Sequence, residues 1–299
     1  MVLKFFKKKK KRTNRIFSRD SLFVLHSLRD MDYNHYLACL LSPSTFRISI
    51  AFLYHFNADL MRIRDVARNP IMGDIRLQWW KDIFESSHHD IPPKSASPFA
   101  VELLSIIHQY HLPYQCFLDM IEAHLFDSYN DSIFDCKNFE IYAFKTSSHL
   151  IRLVAMMLDN EKYSSSLRFI KHAGIAQLIG QLISQLPIHC HRRQLYIPLD
   201  ILGAVGLDRE SFLYAQDSER ISRVIRIFAE LGLENLYKAR EGLSYISSNI
   251  FPAFIPVGIT EGILKNAQSN GFKIFSNSHK ISQFMHQWRM LYSSIRKHF

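Results

Sequence analysis

The chain has 299 residues, 47% hydrophobic and 13% aromatic, with a formal net charge of +10. Charged residues at 21% fit a globular chain large enough to bury a substantial core, and exclude a disordered or collagen-like one. Ten glycines and ten prolines over this length leave little punctuation, which favours helices over a strand-and-turn fold.

Residues 1–20 read as a basic tail, with Lys4 and the run Lys7 to Arg12 set beside Phe5, Phe6, Ile16 and Phe17. Such a block is either solvated or touches anionic headgroups. It is lysine-dominated where a presequence would be rich in arginine and serine, and no apolar stretch directly follows it as in a secretory signal. No apolar run reaches the ~18–20 residues needed to span a bilayer. Residues 32–41 form a short helix ending at Ser42-Pro43. From Phe46 a wide apolar stripe (Ile50, Leu53, Phe56, Leu60, Ile63) marks a central helix that Asn69-Pro70 breaks. A helix over 72–85 carries Trp79 and Trp80 as packing residues, and 87–98 is a polar, proline-containing loop. Helical patterns then cover 99–111, 113–129, 138–158, 165–186, 208–212, 219–247, 254–270 and 279–297. Short links and no strand alternation give an all-α fold, a single large helical bundle over residues 21–299.

The four cysteines, Cys39, Cys116, Cys136 and Cys190, show no Cys-x-x-Cys spacing, so a zinc knuckle or redox motif is not supported and reduced thiols are the default. His88-His89-Asp90 and His189-Cys190-His191 have no spaced second half, which argues against zinc. A basic chain of this kind can bind nucleic acid, but no reading helix or aromatic-basic sheet is visible. No glycine-rich phosphate loop and no internal repeat appear.

Two stretches carry the functional signal. The first runs from Tyr54-His-Phe-Asn-Ala58 through Met61-Arg-Ile-Arg-Asp65 to Arg76-Leu-Gln-Trp-Trp-Lys81. The second runs from His172 to Pro187 and on through His191-Arg-Arg-Gln-Leu-Tyr-Ile-Pro-Leu-Asp200. Together they resemble the squalene/phytoene synthase family over roughly residues 32–296. Three blocks point to the branch of that family which includes the mitochondrial assembly factor for respiratory complex I. These are Asn57-Ala-Asp-Leu60, Arg76 to Lys81, and Leu186-Pro187 with Arg192 to Asp200. The resemblance implies an isoprenoid-synthase fold with a central cavity. It also implies a family reaction that joins two prenyl diphosphates head to head on magnesium. Aspartates at i and i+4 on two facing helices hold the metal, because magnesium requires hard oxygen ligands in near-octahedral geometry.

Placed on that pattern, the first aspartate-rich motif falls on Met61 to Asp65. Only Asp65 keeps a carboxylate, and Arg62 stands among the motif positions. The second motif falls on Gln185 to His189 without a carboxylate, and Pro187 is expected to break the helix inside it. A metal-assisting asparagine falls on Gln181. Loss of ~4 kcal/mol of metal assistance is roughly a thousandfold in rate. The expectation is therefore a non-catalytic or altered member, with no cofactor. It would act in complex I assembly, with a complex I subunit as partner, or hold a prenyl or lipid chain in an apolar cavity. Arg47, Arg64, Arg76, Arg192, Arg193 and Tyr196 are candidates for an anionic headgroup, since arginine forks match phosphate oxygens. Internal pairing of these arginines with Asp59, Asp65, Asp74, Asp82 and Glu85 is the competing reading. The alternatives are an active prenyl transferase using Mg2+, for which Asp59, Asp74, Glu122 or Asp127 would have to supply carboxylates, and a pure interaction scaffold. The expected location is a cytoplasm-like compartment with peripheral contact at an inner membrane, mitochondrial in a eukaryote.

Overall fold

The computed structural model describes residues 19–66, 69–86, 96–129, 131–275 and 283–299, and among them there are helices, turns and no strand. The basic block of the tail, His88 to Asp90 and most of the loop expected at 87–98 lie outside the described residues. Among the described residues fourteen α-helices follow in order: α1 Arg19–Met31, α2 Tyr33–Leu41, α3 Arg47–Val66, α4 Pro70–Ser86, α5 Pro98–Tyr110, α6 Tyr114–Ser128, α7 Cys136–Ala143, α8 His149–Leu158, α9 Leu167–His191, α10 Leu199–Ala204, α11 Arg209–Leu213, α12 Ser218–Arg240, α13 Thr260–Asn270 and α14 Gln283–Arg296.

The helix starts follow from side chains that satisfy orphan backbone amides. The Asp32 carboxylate accepts the His35 N–H at 3.0 Å and opens α2. Ser97, Asp135, Asp208 and Asp217 do the same for α5, α7, α11 and α12. At the other end of α2, Arg47 donates from Nε to the Cys39 carbonyl at 3.1 Å and from Nη2 to the Leu40 carbonyl at 3.0 Å. His111 closes α5 in the left-handed region at φ 52°.

The core sits around α9, which packs on α12, α13 and the segment just before α8. Ala173, Ile175, Ala176 and Ile179 on it are fully buried. A second centre of packing is aromatic: Phe56 of α3 meets Trp80 edge-on at 5.0 Å and Phe84 at 5.6 Å, and Phe84 meets Phe117 of α6 at 5.1 Å. Each buried ring of this kind contributes about 1.5–3 kcal/mol. Trp80 is thus a core residue, as the apolar pattern of α4 predicts, and half-buried Trp79 packs beside it.

Four expectations are corrected. The single helix expected over 138–158 is two α-helices joined by a π turn at Phe144–Ser148. The π turn presses on α9, where a Cβ on Gly174 would come within 2.2 Å of Ser148 Oγ, so only glycine fits. The helix expected over 219–247 stops at Arg240, and a separate 3-10 turn covers Leu243–Tyr245. Residues 254–259 are 3-10 rather than α, within a turn spanning Phe251–Ile259, because Pro252 and Pro256 remove the donors an α-helix needs. Most consequential, α9 does not break at Pro187 but runs on to His191. Proline costs one intrahelical bond there, and burial of Leu186 and His189 on either side holds the last turn in place. Helix α1 and short α10 fell outside the sequence reading, since the first directly follows the basic stretch in sequence and the second is too short to show a period.

Candidate functional site

Helices α3 and α9 line two adjoining cavities that share His35, Met61, Gln177, Gln181, Gln185 and Arg192. Because α9 continues through Pro187, Gln181, Gln185 and His189 keep their i, i+4 spacing and all line the inner cavity. Met61 reaches toward them from α3: its Sδ lies 3.4 Å from Gln181 Nε2 and 3.5 Å from Asn57 Nδ2. The positions onto which the two metal motifs fall therefore meet in space, joined by weak amide-to-thioether contacts.

The inner cavity is small, about 70 Å³, which is room for roughly two waters. It is also more polar than the apolar interior expected from the resemblance. Asp127 Oδ2 lies 2.9 Å from His124 Nδ1 and accepts the Tyr142 hydroxyl at 3.0 Å. Asp127 Oδ1, His124 Nε2 and Gln177 Oε1 are buried and have no hydrogen-bond partner among the described residues. From the outer side, His35 Nε2 lies 3.3 Å from Gln177 Nε2, while its Nδ1 lies 2.6 Å from Asp32 Oδ2. Burial pushes the Asp32 carboxyl up, but the charge and hydrogen bonds of His35 outweigh it and hold Asp32 below its ordinary value. The sequence singled out Asp127 only as a possible substitute carboxylate, and His35, His124 and Gln177 not at all. Their signal was present in the spacings Asp32-x-x-His35 and His124-x-x-Asp127, each of which puts both groups on one helical face.

The outer cavity is larger, about 420 Å³, within the range of small-molecule sites, and adds Asp32, Tyr33, Arg62, Ile188, Ile263 and His286. Of the cations singled out in the sequence, Arg192 lines both cavities. Tyr196 lines the inner one, its ring centroid 5.0 Å from that of His189. The others are placed elsewhere. Arg47 caps α2. Arg76 pairs with Asp59 at 2.6 Å. Arg193, in the left-handed region at φ 56°, lies over the Tyr214 ring at 5.4 Å. Arg64 and Asp65 belong to the last turn of α3, and their side chains lie outside the described residues.

The donor set does not fit magnesium. Met61 offers a thioether, Gln181 and Gln185 only uncharged amide oxygens and His189 an imidazole, and among the described residues no group of three His, Cys, Asp or Glu side chains is placed to hold a metal. Of the four carboxylates that might substitute, Asp59 is bound by Arg76 and by Trp80 Nε1 at 3.2 Å, Asp74 by the Tyr129 hydroxyl, and Glu122 by Lys145. Only Asp127 of these lines the cavity.

Comparison with known proteins agrees with this fold. A family model described as squalene/phytoene synthase matches residues 28–289. The chain is 30% identical over 281 residues to NADH dehydrogenase (ubiquinone) complex I, assembly factor 6, of Rattus norvegicus, covering 91% of this chain and 83% of the relative. Against the Homo sapiens protein of the same name it is 29% identical over 256 residues, covering 86% and 76%. In fold it is similar to the crystal structure of a dehydrosqualene synthase, with a TM-score of 0.78, 14% identity and coverage of 93% and 96%. A squalene synthase from Alicyclobacillus acidocaldarius gives 0.72 at 17% identity, with coverage of 85% and 94%. With the family model spanning most of its length and its helices arranged as in those synthases, the chain belongs to the squalene/phytoene synthase family.

Proposed function

We propose that this chain is a family member that no longer condenses prenyl diphosphates and that works in the assembly of a membrane-bound NADH dehydrogenase complex. The observation that carries the reading is the wall of the inner cavity, where Met61, Gln181, Gln185 and His189 occupy the positions onto which the metal motifs fall. Ionisation of an allylic diphosphate leaves a strongly anionic leaving group, and divalent metal normally neutralises it. Amides and a thioether cannot supply that charge, and Arg62 and Arg192 at the outer cavity offer two cations in place of several metal charges. Relatives named as complex I assembly factors across most of the chain support the assembly role. Its partner in this reading is an assembling complex I subunit, met at the membrane surface, which in a eukaryote is the mitochondrial inner membrane.

The test has two arms. Purified protein with Mg2+ and farnesyl or geranylgeranyl diphosphate should release no pyrophosphate above the buffer rate. Deletion of the gene in its own host should lower NADH:quinone oxidoreductase activity and the amount of assembled complex, with restoration by the chain carrying Gln185→Ala. Turnover of either diphosphate at an enzymatic rate would return the chain to the prenyl transferases, and an unaltered complex in the deletion strain would remove the assembly role.

A further inference from the structure

Helix α14 faces the wrong way for a helix in water. Its inward side is mixed: buried Ser293 is seated on the 3-10 turn at Gly258, where a Cβ would meet Ser293 Cβ at 2.8 Å, Met290 is buried beside it and Arg289 packs against Gly262. Its outward side is apolar. Phe284 is 71% exposed, Trp288 58% and Ile295 70%, with Met285, Leu291 and Tyr292 exposed between them. The spacing 284, 288, 291, 295 is that of one helical face. A surface helix of a globular protein shows the reverse arrangement, and a contiguous exposed apolar stripe marks an interaction surface.

The charge of the helix says what covers it. Residues 283–299 contain no aspartate or glutamate; Arg289 turns inward against Gly262 and Lys297 lies over the Phe251 ring, while Arg296 ends the helix beside exposed Tyr292. Arg296 and Lys297 are exposed. Tryptophan and tyrosine on the outward face are residues that settle at a bilayer's headgroup level. No helix among the described residues is long and apolar enough to cross a membrane, and α14, with 14 residues, is about 21 Å long. Pairing with the same helix of a second copy would set like charges together, whereas an anionic lipid surface complements them. We propose that α14 lies in the plane of an anionic lipid surface, with Phe284, Trp288, Leu291 and Ile295 in the headgroup–acyl boundary and Arg296 at the phosphates. His286, on the same helix, lines the outer cavity, so this docking brings that cavity on the order of 10 Å, one helix diameter, from the headgroups.

The experiment is cosedimentation of the full chain with vesicles of phosphatidylcholine alone and of phosphatidylcholine mixed with phosphatidylglycerol. The chain should bind the mixed vesicles, more weakly at high salt, and the double substitution Trp288→Ser with Ile295→Ser should weaken binding by roughly tenfold or more. Phe134→Ser, which alters an equally exposed ring elsewhere, should leave binding unchanged. Brominated lipid should quench Trp288 in the unsubstituted chain, since Trp79 and Trp80 pack inside, and this readout stands even where the double variant folds poorly. Absence of binding to the mixed vesicles, absence of quenching, binding equal in the folded double variant, or a wild-type dimer that the double substitution splits would each overturn the proposal.

Discussion

At the residue scale, two carboxylates show how charge is held in this bundle. Asp127 is buried with His124 and Tyr142 as its partners. Removing one donor from a buried charged acceptor leaves part of that charge unsolvated, so Tyr142→Phe should cost about 1.5–3 kcal/mol in urea denaturation. Glu261 is the second. The Arg240 guanidinium bonded to it draws its carboxyl down to about 2 against the opposing push of partial burial, with Lys265 adding to the effect. A carboxyl held below its unfolded value of 4.5 contributes stability that is complete above that pH and fades as pH falls toward about 2. Glu261→Gln should therefore melt at lower temperature than wild type at neutral pH, and the gap should narrow through that acid window when thermal unfolding is followed by circular dichroism.

At the element scale, α9 decides the site. Proline in the last turns of this helix withholds one backbone donor, yet the helix carries Gln185 and His189 onto the cavity wall. The sequence alone could not settle this, because a proline's cost of ~3 kcal/mol is offset only by packing of neighbours on other helices. Pro187→Ala restores that donor and should stabilise the fold by roughly 1–3 kcal/mol in the same denaturation assay, with the cavity residues unmoved. The π turn at Phe144–Ser148 illustrates the same limit. Its extra residue places Thr146 and Ser147 on the inner cavity, and a stretch read as one continuous helix gives no sign of where the bulge falls.

At the scale of the whole molecule, the family's architecture is retained, and the cavity wall between α3 and α9 presents amide, thioether and imidazole groups. A metal that binds only the folded state raises its melting temperature by mass action. Millimolar Mg2+, and equally its removal with a chelator, should leave the thermal unfolding midpoint unchanged.

Composition, helical periodicity and the absence of turn chemistry were enough to fix an all-α bundle, and the identities of Met61, Gln181, Gln185 and His189 were legible as residues without carboxylates. Those features are local, written in residue identity and spacing. The fates of Arg47 and Arg76 were not. One is bound to the carbonyls ending α2 and the other to Asp59, while Arg192 alone of the candidate arginines with described side chains touches both cavities. Tertiary structure also assembled the His124, Asp127, Gln177 and His35 surroundings and turned the apolar face of α14 outward. Each depends on which helices meet and at what rotation, and that is set by packing between residues far apart in the chain.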